Sequence, residues 1–248
     1  MPRIDIPDLP VPRAALVTGG SSGIGRAVAA RLAALGCRVA VGFNSRAEAA
    51  EEVMRGLDGD GHFALRIAID DPASVAGAAA ALRRRFGFLD ALVNSGGATT
   101  PVPAGDLDAL TDDIFDRTVG LNLRGPFAVV RAMRPLLEAG RSAAIVNVSS
   151  IAARTGIGSS LAYVAAKGGL DALTVALAKV LAPRIRVFSV SPAGVDTGFV
   201  PNRTREQLER TAERFPLAHV TEADDVTRTV DLTSSTGIVV PVDEGRHL

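Results

Sequence analysis

The sequence predicts an α/β protein with one doubly wound parallel sheet of about seven strands and helices on both faces. From Ala14 onward, short β-branched runs alternate with longer alanine-rich amphipathic stretches, which is the pattern of βαβ units. A glycine-rich turn follows the first of these runs directly and opens into a helical stretch. The chain of 248 residues is 47% hydrophobic and contains no repeat or linker, so we expect a single domain over residues 14–248.

The elements follow one another along the chain. Prolines at positions 2, 7, 10 and 12 indicate an extended lead-in over residues 1–13. The β-branched and apolar runs predict strands at Ala14–Thr18, Arg38–Phe43, Phe63–Ile69, Ala91–Asn94, Ala143–Val148, Ile185–Val190 and Ile238–Val242. Helical periodicity predicts helices at Ile24–Leu35, Ala47–Arg55, Pro72–Phe86, Leu107–Leu121, Pro126–Ala139, Leu161–Leu181 and Ala223–Leu232. Doubly wound sheets bind ligands beyond the carboxyl ends of their strands, so function is expected in the loops that follow the strands.

Charge and cysteine content disfavour several classes of protein. The 27 acidic and 27 basic side chains balance, so no net field exists to attract nucleic acid or an anionic membrane. No apolar run approaches the roughly 20 residues that span a bilayer, and the N-terminus lacks a secretory signal, which predicts a cytoplasmic protein. The single cysteine, Cys37, has no partner for a disulfide or a metal site, so we expect a buried thiol and no metal.

The glycine-rich turn reads Thr-Gly-Gly-Ser-Ser-Gly-Ile-Gly over Thr18–Gly25. Glycines let the backbone approach a pyrophosphate closely, and the start of the following helix offers unpaired N–H groups. An ordinary turn is the alternative. A P-loop is disfavoured, because Arg26 and Ala27 stand where that motif needs a lysine and a hydroxyl. The predicted dinucleotide contacts are Gly19, Ser21, Ser22, Gly23, Ile24 and Gly25.

The end of the second predicted strand bears on the choice of cofactor. An acidic residue there would bind the ribose of NAD, but none is present. Asn44, Ser45 and Arg46 could instead accept a 2′-phosphate, with Ser21 and Ser22 as further donors. NADP (NADPH) is therefore the preferred cofactor and NAD the alternative. For Arg46 the alternative is a solvent-exposed residue that opens the next helix.

Tyr163 and Lys167 are four residues apart and share one face of a predicted helix. A neighbouring ammonium favours the phenolate of a group whose ordinary pKa is about 10, and so brings it toward the range useful for acid–base catalysis. Such a pair also occurs by chance. The preceding predicted strand, however, is followed directly by Ser149 and Ser150. A serine hydroxyl would therefore face the same crevice and could donate a hydrogen bond to a developing oxyanion.

These features in this order resemble the classical short-chain dehydrogenase/reductase family, and the resemblance covers nearly the whole chain. It rests on the turn Thr18–Gly25, Asn122 in Leu-Asn-Leu, Ser150, and Tyr163-x-x-x-Lys167. It implies a Rossmann-type fold in which Tyr163 is the general acid for ketone reduction and Ser150 holds the substrate oxygen. Lys167 would bind the nicotinamide ribose and lower the pKa of the tyrosine, and Asn122 would anchor a water. A local hydrogen bond within the helix is the alternative for Asn122.

The resemblance also implies further cofactor contacts. The stretch Ser191–Thr197 is similar to the family's Pro-Gly-x-x-x-Thr loop around the nicotinamide, and Asn94–Gly97 stands where Asn-Asn-Ala-Gly is usual. Ala68 replaces an acid that often contacts adenine, which leaves Asp70 as a substitute. Val242–Gly245 departs from the usual Asp-Gly-Gly in a way that we expect to affect a subunit contact. The contacts implied are Asp70, Asn94, Ser95, Gly96, Tyr163, Lys167, Pro192, Gly194, Val195 and Thr197.

The predicted function is hydride transfer between a nicotinamide cofactor and a carbonyl or alcohol. By the resemblance to 3-oxoacyl-acyl-carrier-protein reductases, the reaction expected is reduction of a ketone or an acyl thioester with NADPH. One alternative is an alcohol or sugar dehydrogenase that works oxidatively. Another is a non-catalytic dinucleotide-sensing protein, which is disfavoured because Ser150, Tyr163 and Lys167 are all present.

Two expectations concern segments around this site. Residues 198–215 are predicted to form a substrate lid, with a solvated surface helix over Asn202–Arg214 as the alternative, and they show no diagnostic charged pair. The helix Leu161–Leu181 is apolar or small-residue-rich on most of its circumference, which predicts burial against a second subunit or another part of the chain. The family resemblance implies a homotetramer.

Overall fold

The structure is a computed structural model and describes residues 12–230 and 235–248. Its strands are β1 (Ala14–Thr18), β2 (Arg38–Phe43), β3 (Phe63–Arg66), β4 (Ala91–Asn94), β5 (Ala143–Val148), β6 (Ile185–Pro192) and β7 (Val239–Val242). They form one sheet in the order β3-β2-β1-β4-β5-β6-β7, and every neighbouring pair is parallel. β2 and β3 lie on one side of β1, and β4 to β7 lie on the other. The strand order therefore reverses between β1 and β4, which opens a crevice at their carboxyl ends.

Helices cover both faces of the sheet. They are α1 (Gly23–Ala34), α2 (Ala47–Arg55), α3 (Pro72–Arg85), α4 (Asp112–Val119), α5 (Gly125–Glu138), α6 (Ala152–Thr155), α7 (Leu161–Leu181), α8 (Arg205–Ala212) and α9 (Ala223–Val230). Because side chains alternate along each strand, Leu16 of β1 packs in the cluster that contains Met133 of α5, whereas Val17 packs in the cluster that contains Val28 of α1. This single-domain, seven-stranded α/β fold confirms the predicted fold class.

Two strand ends differ from the prediction. The ladder between β2 and β3 stops at the pair Phe43 and Arg66, so β3 is three residues shorter than the predicted Phe63–Ile69. Beyond it, the N–H of Ile67 still donates to the carbonyl of Phe43 at 2.7 Å, but the chain then turns toward α3. β6 instead continues to Pro192, because pairing with β7 extends that far.

The helix predicted at Leu107–Leu121 was wrong at its start, whereas its end lies within two residues of the prediction. It begins only at Asp112, because the Thr111 hydroxyl accepts a hydrogen bond from the N–H of Ile114 at 3.4 Å and caps the first turn. After Val119 the chain forms a π-helical turn over Gly120–Arg124. The other predicted elements agree to within two residues where they are described. Residues 1–11 of the predicted lead-in and residues 231–232 of the last predicted helix lie outside the described residues.

α6 and α8 were not among the predicted helices. α8 corresponds to the surface helix weighed as the alternative for residues 202–214, and it is exposed apart from Leu208 and Ala212. Its start is a capping box, in which Thr204 and Gln207 satisfy each other's backbone N–H groups.

The apolar helix α7 is long and apolar enough to cross a membrane by length and composition alone, which corrects the expectation that no run approaches that length. Its inner face packs on β6 and buries Ala166, Lys167 and Leu170. The same composition is expected of a core helix, and these contacts favour that interpretation. Val175 and Val180 on its other side are 36% and 73% exposed.

The single cysteine lies in the core. Cys37 is 1% exposed, and burial raises the pKa of its thiol to about 12, so it is protonated and unreactive at neutral pH. Within residues 12–230 and 235–248, no three His, Cys, Asp or Glu side chains come together in a group that could hold a metal ion.

Candidate active site

A cavity of about 580 Å³ lies at the carboxyl ends of β1, β4, β5 and β6. Its walls come from the loops that follow these strands, from the start of α7 and from the C-terminal segment. This is the edge of the sheet at which a doubly wound fold is expected to bind its ligand.

The glycine turn after β1 forms one end of the cavity, where Gly19 and Gly23 adopt φ angles of 65° and 52° that favour glycine. A Cβ atom on Gly19 would lie 2.9 Å from the Cα of Gly96. Ser22 caps α1 without a side-chain hydrogen bond, and no acidic residue occupies the first turn. Close backbone approach together with unpaired N–H groups at a helix start is the environment that a pyrophosphate needs, so these residues fit a dinucleotide.

Not every residue of the turn reaches the cavity. Gly19, Ser22, Gly23 and Ile24 line it, whereas Ser21 and Gly25 do not. Gly25 has a packing role instead, because a Cβ atom there would lie 2.3 Å from the carbonyl oxygen of Gly19.

The loop after β4 is held against the glycine turn. The N–H groups of Ser95 and Gly96 donate to the Thr18 hydroxyl at 3.1 and 3.0 Å, and both residues line the cavity. Asn94 is buried behind them, and its Nδ2 donates to Oδ1 of Asn147 at 2.9 Å. Asn94 therefore supports the loop and does not line the cavity.

At the end of β2, only one of the three residues expected to bind a 2′-phosphate lines the cavity. Arg46 does so, and its Nη2 donates to the Ser22 hydroxyl. Asn44 and Ser45 are exposed beside it and are not part of the wall. Asp70 is exposed and also lies outside the wall, and its backbone carbonyl accepts a hydrogen bond from Arg124 at 3.0 Å.

The start of α7 brings the candidate acid to the cavity. The Ser160 hydroxyl accepts a hydrogen bond from the N–H of Tyr163 at 3.2 Å and caps the helix. The Tyr163 phenol is hydrogen-bonded to the Ser150 hydroxyl. Ser149 lines the cavity as well, but its hydroxyl donates to the backbone carbonyl of Lys167 at 3.4 Å, the kind of strand-end backbone bond that a serine often makes.

Lys167 lies one turn further along α7 and is 6% exposed. Its Nζ donates to the carbonyl of Val148 at 2.7 Å and lies 5.6 Å from the centre of the Tyr163 ring. Burial lowers the pKa of Lys167 to about 8, against the opposing charge of Asp171.

The phenol itself is strongly desolvated. Burial raises the pKa of Tyr163 to about 12, and the hydrogen bond from Ser150 and the charge of Arg203 offset only part of that rise. Arg203, a residue that the sequence did not indicate, is therefore a second cation near the phenol, in addition to Lys167. At neutral pH the phenol carries its proton.

Asn122 is fully buried in the π-helical turn, a local geometry that is often found at functional sites. Its Nδ2 donates to the carbonyls of Thr118 at 2.9 Å and Ala98 at 2.7 Å. The first is the local bond considered as an alternative, and the second fixes the loop after β4. Its Oδ1 has no hydrogen-bond partner among the described residues and would lie 2.5 Å from a Cβ atom on Gly97. Asn122 therefore stands behind the cavity wall.

The loop after β6 closes the other side of the site. Pro192, Gly194, Val195 and Thr197 all line the cavity. Thr197 packs so closely on the glycine turn that a Cβ atom on Gly23 would lie 2.9 Å from its own Cβ atom.

Phe199, Arg203 and Arg246 also line the cavity, although the sequence predicted no site role for any of them individually. The Phe199 ring lies 5.8 Å from the ring of Tyr163. Arg203 and Arg246 come from segments far apart in the chain, so no local pattern could have paired them. Residues 198–215 by themselves supply no charged pair to the cavity, as expected, and Arg203 shares the cavity with a second arginine only because the C-terminal segment supplies Arg246.

Comparisons with known proteins identify the family of this chain. The family model for short chain dehydrogenases matches residues 13–208. The chain is 36% identical over 250 residues to a protein named as ketoacyl reductase 2 of the granaticin polyketide synthase of Streptomyces violaceoruber, with 98% of each chain covered. It is 32% identical over 245 residues to the 3-oxoacyl-acyl-carrier-protein reductase FabG of Staphylococcus aureus (strain Mu50), with 95% of this chain and 98% of that one covered.

Among solved structures, the angucycline C-6 ketoreductase LanV with bound NADP matches with a TM-score of 0.84 and 29% identity, covering 94% of this chain and 95% of that one. A family match over most of the chain, relatives that span its full length and a cavity at the switch point of the sheet lead to one conclusion. The chain belongs to the short-chain dehydrogenase/reductase family, whose members are NAD(P)-dependent oxidoreductases that act on CH–OH and C=O groups.

Proposed function

We propose that the protein is an NADPH-dependent reductase of a ketone or a 3-oxoacyl thioester. The observation that carries this proposal is the Tyr163 phenol, hydrogen-bonded to Ser150 and one helical turn from Lys167, in the same cavity as the glycine turn. The similarity to ketoacyl and 3-oxoacyl reductases supports the same reaction class.

Each residue of the site has a separate role in the proposed reaction. A nicotinamide cofactor held by the glycine turn and the loop after β6 would supply a hydride to the carbonyl carbon. Ser150 donates a hydrogen bond to the carbonyl oxygen, and Tyr163 gives its proton to that oxygen as negative charge develops there. With a pKa of about 12, the phenol holds this proton at neutral pH and releases it only to a strong base such as an alkoxide. Lys167 positions the ribose, and Asn122 anchors the water that returns a proton to the phenolate.

The defining experiment mixes purified protein with NADPH or NADH and a panel of ketones that includes acetoacetyl thioesters, and follows the absorbance of the cofactor. Consumption of NADPH with at least one β-keto thioester or ketone is expected. Binding of NADPH without turnover of any carbonyl, and without turnover of alcohols in the reverse direction, would favour a dinucleotide-sensing protein instead.

Cofactor preference provides a prediction at Arg46. The Arg46→Ala variant is expected to raise the KM for NADPH about tenfold to hundredfold, because a charge-assisted bond to the 2′-phosphate is lost. The KM for NADH should stay unchanged, since NADH lacks that phosphate. Arg55→Ala is the matched control, because Arg55 is exposed on the adjoining helix α2 and does not line the cavity. Equal increases for both cofactors would contradict the role assigned to Arg46.

The pH dependence of reduction is a second prediction. The pKa of Lys167, lowered by burial to about 8, leaves the ammonium charged below that pH and removes its charge above it. Tyr163, with a pKa of about 12, stays protonated throughout the range. The kcat/KM for ketone reduction is therefore expected to be level below about pH 7 and to fall about tenfold per pH unit above pH 8.

The reverse reaction gives the control for this profile. Oxidation of the alcohol needs Tyr163 as a base, so its rate should rise with pH up to about pH 8 and then level off, because the gain in phenolate is offset by the loss of the charge on Lys167. A reduction profile that stays level up to pH 10 would show that the charge on Lys167 is not required.

Three further features belong to the same proposal. We place the protein in the cytoplasm as a homotetramer, and we assign residues 198–215 the role of a substrate lid. The exposed apolar side chains Phe115, Phe127 and Val175 support subunit contacts, and light scattering on the purified protein would measure the assembly directly. Phe199 and Arg203 line the cavity from the proposed lid, which supports its assignment.

A further inference from the structure

Two arginines, Arg203 and Arg246, stand together in the wall of the cavity near the candidate acid. Arg203 precedes α8, and its Nη1 would lie 3.6 Å from a Cβ atom on Gly194 of the loop after β6. Its charge lowers the pKa of Tyr163, so the guanidinium lies close enough to interact with the phenol. Arg246 is half-buried, and its pKa is lowered by burial and then by the charge of Arg203, with Asp243 opposing.

Neither arginine of this pair makes an ion pair among the described residues, although the charge of Asp243 acts on Arg246. No Asp or Glu is among the residues that line the cavity, and no described carboxylate lies within 4.0 Å of either guanidinium. The neighbouring Arg205 shows the contrast, because it makes ion pairs with Glu222 at 2.7 Å and Glu209 at 3.0 Å. Two like charges that share a concave wall repel one another, and an anion placed between them would relieve that repulsion.

The position of Arg246 is built into the C-terminal segment. Asp243 is 4% exposed and accepts hydrogen bonds from the N–H of Gly245 at 3.2 Å and from the N–H and Nδ1 of His247 at 3.0 and 2.9 Å. Gly245 has a φ angle of 83°, and a Cβ atom there would lie 2.8 Å from Pro216. This tight turn sets the guanidinium of Arg246 against the ring of Phe215, 5.0 Å from its centre.

Gly194 lies beside the other arginine. A Cβ atom at this position would lie 2.8 Å from Cδ2 of Leu208, whose side chain would have to shift, and 3.6 Å from Nη1 of Arg203, which is an ordinary contact distance. The position of Arg246 therefore depends on Asp243 and Gly245 in the C-terminal segment, whereas Arg203 packs beside Gly194 of the loop after β6.

We infer that the substrate carries an anionic group, a carboxylate or a phosphate, that Arg203 and Arg246 bind while its carbonyl meets Ser150 and Tyr163. Guanidinium groups suit this role because they present paired donors to the oxygens of either anion. The inference rests on the proposed reduction of a carbonyl and names the class of substrate. The carboxylate would belong to a small oxo acid, and the phosphate to the carrier arm of an acyl thioester.

Matched substrate pairs test this and separate the two sources. Reduction with NADPH is measured for 4-oxopentanoate against its methyl ester, and for acetoacetyl-coenzyme A against the neutral thioester acetoacetyl-N-acetylcysteamine. At least one anionic member is expected to have a kcat/KM at least tenfold above its neutral counterpart. Preference in the first pair identifies a carboxylate, and preference in the second pair alone identifies a phosphate.

The variants Arg203→Gln and Arg246→Gln are each expected to reduce that preference at least tenfold, mainly through KM, and added salt should reduce it in the wild type. Arg210→Gln is the matched control, because Arg210 is exposed on α8 outside the cavity. Equal kcat/KM values within both pairs, or equal losses for the anionic and neutral members in both variants, would overturn the inference.

A binding measurement keeps this test separate from the test of the reaction. Calorimetric titration of the Tyr163→Phe variant loaded with NADPH needs no turnover. Binding of 4-oxopentanoate or acetoacetyl-coenzyme A at least tenfold tighter than the neutral counterpart would support the anion site even if no ketone were reduced. Equal affinities within both pairs would refute the anion site, even if reduction of neutral ketones were observed.

Discussion

Replacing Tyr163 by phenylalanine is expected to lower kcat by about two to four orders of magnitude, the usual value of a positioned general acid. The variant removes one oxygen atom and retains the ring, so the contact with Phe199 and the fold of α7 should persist. Binding of NADPH should change little, because the glycine turn and the loop after β6 remain intact. The measurements are steady-state reduction of a ketone and titration of the protein with NADPH.

The composition of the chain provides an independent readout. Tyr163 is the only tyrosine and the chain has no tryptophan, so the ultraviolet absorbance of a phenolate reports this residue alone. Titration of the wild type is expected to show ionisation near the pKa of about 12 that burial imposes. Unchanged turnover in the Tyr163→Phe variant would remove the proposed acid, whatever the spectroscopic result.

Replacing Gly25 by alanine is expected to impair both the fold and the cofactor site. The new Cβ atom would lie 2.3 Å from the carbonyl oxygen of Gly19, and because that oxygen belongs to the backbone, the turn itself must move. Overpacking of this kind costs about 1–3 kcal/mol of the free energy of unfolding. The affinity for NADPH should fall at least about tenfold, since a shift of the turn disturbs the N–H groups that face the pyrophosphate.

The matched control for Gly25→Ala is Gly77→Ala. Gly77 lies on the exposed side of α3, and a Cβ atom there meets nothing within 4 Å. The helix should therefore gain about 0.5–1 kcal/mol of stability. Urea unfolding and fluorescence titration with NADPH measure both variants. If Gly25→Ala bound NADPH as the wild type does, the close packing of α1 on the turn would not be needed for the site.

Much of the fold followed from local pattern. The alternation of β-branched and alanine-rich runs predicted every strand of the sheet, because buried parallel strands and amphipathic helices have distinct periodicities. The end of β3 and the start of α4 were misplaced for a physical reason. β3 ends where its pairing with β2 ends, and α4 begins where Thr111 caps it, and neither event depends on hydrophobicity.

Some residues of the candidate site could likewise be predicted from local sequence, and others could not. The spacing of Tyr163 and Lys167 predicted that they share one helix face, and the turn Thr18–Gly25 predicted a phosphate-binding loop. Both predictions were possible because each motif lies within a single stretch of chain. The selection among nearby polar residues needed coordinates. Arg46 reaches the cavity wall while Asn44 and Ser45 do not, although the three are adjacent in sequence.

The α/β fold, the glycine turn and the helix that carries Tyr163 and Lys167 could be predicted from local sequence, because each depends on residues close together in the chain. The electrostatics around the phenol could not be predicted and depend on the folded structure. Burial sets the pKa values of Tyr163 and Lys167, and it is the sum of contacts from many segments. Packing of the C-terminal segment brings Arg246 beside Arg203, and charges that meet only through folding leave no pattern in a linear sequence.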